Sequence, residues 1–194
     1  MVRPLALRLL FMKERGSNVA VVSRSRLPTS AMLKDGSSVR LRPIRAEDEA
    51  ELIAFYARLS PTSAYQRFHT LMARLPPDWA HFLANVDYER RMAIVAVDPD
   101  DRVIAVARYD YNAQSEEAEV AIVVQDQWQG KGLGTKLMTE LLSYAESKGI
   151  VRFRAYVVAD NRRMLAVFRK VTRILSSQTQ SGITSLLLAP LPGC

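Results

Sequence analysis

Residues 120–149 constrain this fold more than any other stretch of the chain. An apolar run (Val120, Ile122, Val123, Val124) leads into Gln129-Gly130-Lys131-Gly132-Leu133-Gly134-Thr135. After it, Leu133, Leu137 and Leu141 recur on one face with Met138, Leu142 and Ala145 beside them. That spacing predicts a helix buried along one stripe, closed by Lys148-Gly149 with glycine as its C-terminal cap. A strand feeding a glycine-rich turn at a helix N-terminus is an anion site by construction. Free N–H groups and the positive end of the helix dipole converge there, and glycine lets a ligand come close to the backbone.

Two phosphate loops fail on inspection. The G-x-x-x-x-G-K-[ST] pattern needs Ser or Thr after its lysine, but Gly132 follows Lys131. The dinucleotide pattern G-x-G-x-x-G fails because Thr135 stands in its third glycine slot. What remains is Q-x-x-G-x-G, met by Gln129, Gly132 and Gly134.

The remaining pattern is regular from residue 37 onward. Val39 and Leu41 alternate with Arg40 and Arg42 as a strand. Acids at Glu47, Asp48 and Glu49 open a helix that stops before Pro61. Residues 62–86 read as helical or irregular, broken at Pro76-Pro77. Strands follow at 91–97, 102–110 and 117–125, the first two joined as a hairpin through residues 98–101. Beyond the glycine loop and its helix come a strand (151–158), a helix (161–171) and two weaker strands (173–177, 183–189). No repeat or linker interrupts this body, so it reads as one mixed α/β domain.

Composition narrows the function. The single cysteine, Cys194, excludes an intramolecular disulfide framework and a cysteine zinc cluster, and His69 and His81 are far apart. No run reaches roughly 18 apolar residues. The expectation is a soluble, cytoplasmic protein without membrane contact or metal. The net charge of +7 is unevenly placed: residues 1–45 carry +8 and residues 46–194 carry −1. A nucleic-acid domain normally carries its basic stripe on the folded body, so the charge argues against that partner. Residues 1–31 form a basic arm or leader outside the core. A transit-like segment, a disordered arm for an acidic partner, a packed helix and a dispensable upstream extension all fit it, and residues 32–194 form the domain.

In context, this motif resembles the Gcn5-related N-acetyltransferases (GNAT), over roughly residues 37–190. The resemblance is nearest to the acetyltransferase domain of bacterial protein-lysine acetyltransferases, through Leu41-Arg42-Pro43-Ile44-Arg45, Leu59-Ser60-Pro61, Tyr65-Gln66-Arg67-Phe68 and Asn161-Arg162-Arg163-Met164-Leu165. It implies a mixed α/β (α+β) fold: a mostly antiparallel twisted sheet of about six to seven strands, splayed between the fourth and fifth, with flanking helices. It also implies an acetyl-CoA-dependent N-acetyltransferase acting on a primary amine, with a protein lysine as the leading acceptor.

The same resemblance assigns residues. Backbone groups of Ile122, Val123 and Val124 would bond the pantetheine arm. The amides of Gln129, Gly130, Lys131, Gly132, Leu133, Gly134 and Thr135 would hold the pyrophosphate, and Asn161 would bond the pantetheine or the acceptor side. Phe168 stands where many members carry a tyrosine that protonates the leaving thiolate. A thiol with a pKa of about 8.5 can leave without that help. Glu119 is the candidate base and Glu117, on the same strand face, the reserve; a solvated strand edge is the plainer reading of both. Acetyl-CoA is then a cosubstrate and no metal is needed, because the thioester is already activated.

Several expectations stay open at this level. A polyamine or aminoglycoside-like amine could replace the lysine, or the chain could bind coenzyme A without turnover. Arg152, Arg154, Arg162, Arg163 and Lys131 are candidates for the 3′-phosphate. Trp128 and Tyr109 are more readily packing residues than acceptor contacts, and neither histidine reads as a base. Val171-Thr172 replaces the Gly-Phe that often ends the last helix, so the tail is expected to pack unusually or to support a homodimer through Leu186-Leu187-Leu188.

Overall fold

The computed structural model describes residues 30–191; the readings of residues 1–29, and Cys194, lie outside the described residues. Eight strands form one sheet: β1 (Ala31–Met32), β2 (Ser38–Pro43), β3 (Arg91–Val97), β4 (Val103–Asn112), β5 (Glu117–Val124), β6 (Phe153–Val158), β7 (Thr172–Gln180) and β8 (Ile183–Pro190). Their order is β1-β2-β3-β4-β5-β6-β8-β7. Every neighbouring pair is antiparallel except β5 and β6. Five α-helices cover the two faces: α1 (Glu49–Ala57), α2 (Pro61–Phe68), α3 (Pro77–Ala84), α4 (Leu133–Ser147) and α5 (Arg162–Val171).

The expected fold is therefore present, with eight strands where six or seven were foreseen, and with β1 counted the splay falls between the fifth and sixth strands. The addition is β1, where Ala31 pairs with Val39 and is buried in the core. β1 thus includes Ala31, the residue before Met32.

Alternation along the strands builds two cores. On one face Ala118, Val120 and Ile122 of β5 pack with Leu133, Leu137, Met138 and Leu141 of α4 and with Phe168 of α5. On the other, Val123 joins Val95, Val97 and Val106 beneath Leu52 and Phe55 of α1, Phe68 of α2 and Leu83 of α3. Both faces of β3 and β4 are covered, which explains their near-continuous burial.

Local signals set the helix ends. Ser60 caps α2 by accepting from Ser63 N, and Pro61 fills the first position. Gly149, at φ +78°, closes α4 as expected. After α5 no left-handed glycine is needed: Thr172 is extended (φ −142°, ψ 160°), its hydroxyl donates to Phe168 O at 2.6 Å, and the chain enters β7 directly. Of the leucine run expected at a dimer contact, only Leu187 is left partly exposed. Leu186 and Leu188 are 1% and 0% exposed within this chain's own core. Among the described residues no helix is long and apolar enough to cross a membrane.

Candidate active site

The site exists because β5 and β6 pair only briefly. Their register covers Ala118 with Phe153 and Glu119 with Arg154; beyond these rungs the strands part around a cleft of about 700 Å³. Residues 120–124 form one wall. Their other backbone edge is already bonded to β4 through pairs such as Ile122 with Ala107 and Val124 with Ala105. Tyr156 and Val157 of β6 and Met164, Val167 and Phe168 of α5 form the second wall, and the N-terminus of α4 closes one end.

Most residues anticipated for acetyl-CoA meet here: Ile122, Val123, Val124, Gln129, Gly130, Gly132, Gly134, Thr135, Asn161 and Phe168 all line the cleft. Two anticipated side chains do not. The Lys131 ammonium turns to Asp35 at 2.9 Å and lies 4.8 Å from the Trp128 ring, and Leu133 is 1% exposed in the core. The role expected of both was through their backbone amides.

The loop is held in shape by its own residues. Gly130 and Gly132 have φ of +77° and +90°, a region that disfavours any side chain. The Gln129 amide donates to Val124 O (2.9 Å) and Ser63 Oγ (3.0 Å) and accepts from Arg163 (3.2 Å). Asp126 accepts from Ser60 N, Ser60 Oγ and Ser63 Oγ at 2.6–2.9 Å, tying α2 to the loop. Gly132 caps α4 without a side-chain bond and no acid occupies its first turn, so the helix presents bare N–H groups.

Charge around the loop is only partly as expected. Arg162 and Arg163 line the cleft. Arg152 and Arg154 instead reach Glu117, at 3.6 and 2.7 Å. Lys34, which the sequence did not single out, also lines the cleft and packs over Gly132, while its backbone N–H donates to Lys131 O. Asn161 uses its side-chain oxygen to cap α5 by accepting from Met164 N at 3.1 Å, leaving its NH₂ group for the cleft.

On the opposite side of the sheet from α4, Glu119 lies opposite Asp110 of β4 and Arg154 of β6. It sits just past the cleft-lining residues, half-buried. Burial disfavours the charged forms of Arg67 and Arg108, and the Glu119 carboxylate partly restores both. Glu117 is fully engaged: hydrogen bonds from Arg154, at 2.7 and 3.0 Å, hold it below the usual carboxylate range. Tyr109 is a core residue whose hydroxyl donates to Glu89 O. Phe168 offers no proton, but Tyr156 places a phenol on the same cleft.

The acetyltransferase (GNAT) domain family matches residues 38–172. An acetyltransferase of Pseudomonas aeruginosa is 33% identical over 135 residues, covering 68% of this chain and 73% of the relative. The acetyltransferase Pat of Mycolicibacterium smegmatis is 31% identical over 163 residues, 77% of this chain and 47% of Pat; this chain thus spans about half of that relative. The solved GNAT domain of S. lividans PAT superposes with a TM-score of 0.75 at 31% identity, covering 82% of this chain and 95% of that one. A fold with this splayed sheet, a glycine loop at the head of α4, and these matches lead to one conclusion: the chain belongs to the GNAT acetyltransferase family and is an N-acetyltransferase.

Proposed function

We propose that the chain transfers the acetyl group of acetyl-CoA directly to a primary amine, with a protein lysine as acceptor and Glu119 as base. The observation that carries this reading is the cleft between β5 and β6, which has helix N–H groups and Arg162, Arg163 and Lys34 at one end and an unpaired strand edge along its wall. A diphosphate fits the first and an amide-bearing pantetheine arm the second. The amine nitrogen attacks the thioester carbonyl, the C–S bond breaks and the acetyl group stays on nitrogen. Glu119, directly or through water, takes the proton that frees the amine from its ammonium form, and the second N–H proton, lost as the amide forms, goes to the departing thiolate.

The base matters because a lysine amine, with pKa about 10.4, costs about 4–5 kcal/mol to present neutral at pH 7. A positioned carboxylate removes that proton. A protein acceptor is supported by the likeness to Pat and to the S. lividans PAT domain. Polyamine or aminoglycoside acceptors are less well supported, because Arg67 and Arg108 stand beside Glu119 where a polycation would have to sit. The test is thiol release from acetyl-CoA with lysine peptides and with polyamines, product acetylation being followed by mass. Acetylated peptide supports the proposal. Acetyl-CoA binding without any amine product would leave a coenzyme A-binding module.

A further inference from the structure

Arg108 is 2% exposed at the centre of the sheet. Its Nη1 donates weakly to Leu83 O at 3.4 Å, while Nε and Nη2 have no hydrogen-bond partner among the described residues. A buried donor left unsatisfied costs free energy, more so when charged. Those two nitrogens form one edge of the guanidinium, and their parallel N–H bonds match the two oxygens of a carboxylate.

Arg108 lines a small second cavity of about 30 Å³, walled apart from Arg67 mainly by apolar side chains such as Phe55, Leu59, Phe68 and Val106. A water-sized probe occupies about 10–15 Å³, so the volume accommodates about two oxygen-sized atoms. Arg67 lines both this cavity and the main cleft. Val123 does the same from β5. Arg108 lies opposite Ala121, two residues along from Glu119 and on the same face, so Arg108 and Glu119 are diagonal neighbours roughly 7–8 Å apart, their Cβ atoms somewhat closer.

We infer that Arg108, reached from the cleft past Arg67, is a carboxylate subsite that selects an acceptor whose carboxylate is spaced from its amine so that the two reach Arg108 and Glu119 together. The inference rests on the transfer reading above and refines its substrate class. The carboxylate belongs either to a free amino acid or to an acidic residue beside the acceptor lysine. Arg67 supplies a second cation at the mouth, and Glu119 faces the amine end of the same molecule, so the acceptor is oriented by opposite charges at its two ends.

The test uses two matched pairs: L-lysine against L-lysinamide, and a peptide whose lysine is flanked by glutamate against one flanked by glutamine. Each is titrated into the protein with coenzyme A, where no turnover occurs, and then assayed with acetyl-CoA. The acidic member of one pair should bind at least about tenfold more tightly, and the pair showing it names the source. Arg108→Met should reduce that preference below about twofold. Arg108→Lys, which keeps the charge without the fork, should retain part of it and serves if the Met variant does not fold. Equal or undetectable binding within both pairs, or an undiminished preference in Arg108→Met, overturns the subsite. A binding preference without acetylation overturns the transfer reading alone, and acetylation without preference overturns the subsite alone.

Discussion

Glu117 accepts two hydrogen bonds from Arg154, at 2.7 and 3.0 Å, across the seam where β5 and β6 begin to part. Arg152 adds a contact at 3.6 Å. The carboxylate that strand alternation makes equivalent to Glu119 is therefore a clamp on the last paired rungs, which leaves Glu119 as the base in the proposed reaction. Glu119→Gln should lower turnover by about 10²–10⁴-fold and leave acetyl-CoA affinity within about twofold, read by steady-state kinetics and titration. Unchanged turnover would remove Glu119 from the chemistry.

The clamp also makes an acid-stability prediction. Hydrogen bonds from Arg154 depress the folded-state pKa of Glu117 below its ordinary value of about 4.3. A depressed carboxylate stabilises the fold fully above the unfolded pKa and loses that contribution as pH falls through the folded one. Melting temperature followed downward from pH 5 should therefore decline less steeply in Glu117→Gln than in the unaltered chain. Parallel acid limbs would show that the pair adds nothing to stability.

Two glycines of the loop should answer differently to the same substitution. Gly132 caps α4 at φ +90°, and a Cβ there would meet the Lys34 side chain at 3.5 Å. Gly132→Ala should cost about 1–2 kcal/mol from the left-handed backbone and weaken acetyl-CoA binding as the loop rearranges. Gly134 is helical, and a Cβ there would lie 3.7–3.8 Å from Val124 and Ile122, ordinary contact. Gly134→Ala should keep or slightly raise the melting temperature, by helix propensity. A larger loss of stability at Gly134 than at Gly132 would contradict this account of the loop.

What could be read from sequence follows the range of the forces involved. The stripe of Leu137, Leu141 and Ala145 and the turn glycines are local, and α4 and its loop appear where the pattern places them. Tertiary facts were less visible. Lys34 reaches the cleft only because β1 pairs with β2 and its backbone bonds Lys131. Arg108 was not singled out in the sequence, yet the residues before it, Val103, Ile104, Ala105, Val106 and Ala107, are apolar on both faces. A strand apolar on both faces is central, and any charge within it must be buried; that signal was present. Nothing local marks which cations meet Glu117, because Arg152 and Arg154 approach it from another strand.

Asp126 ties α2 to the glycine loop. Asp126 accepts from Ser60 N, Ser60 Oγ and Ser63 Oγ, at 2.9, 2.6 and 2.8 Å. Burial works against its charge, but these hydrogen bonds hold its carboxyl below the ordinary range. Asp126→Asn keeps the shape but loses the charge-assisted bonds and turns one acceptor into a donor. Because Asp126 is exposed and its bonds are screened by solvent, the expected loss is about 1 kcal/mol or less, with faster amide exchange across α2. Because Ser63 also receives the Gln129 amide at 3.0 Å, the loop should loosen with the helix, and acetyl-CoA affinity should fall in the same variant. Undiminished affinity in a destabilised protein would mean that α2 and the phosphate loop are packed together but not coupled.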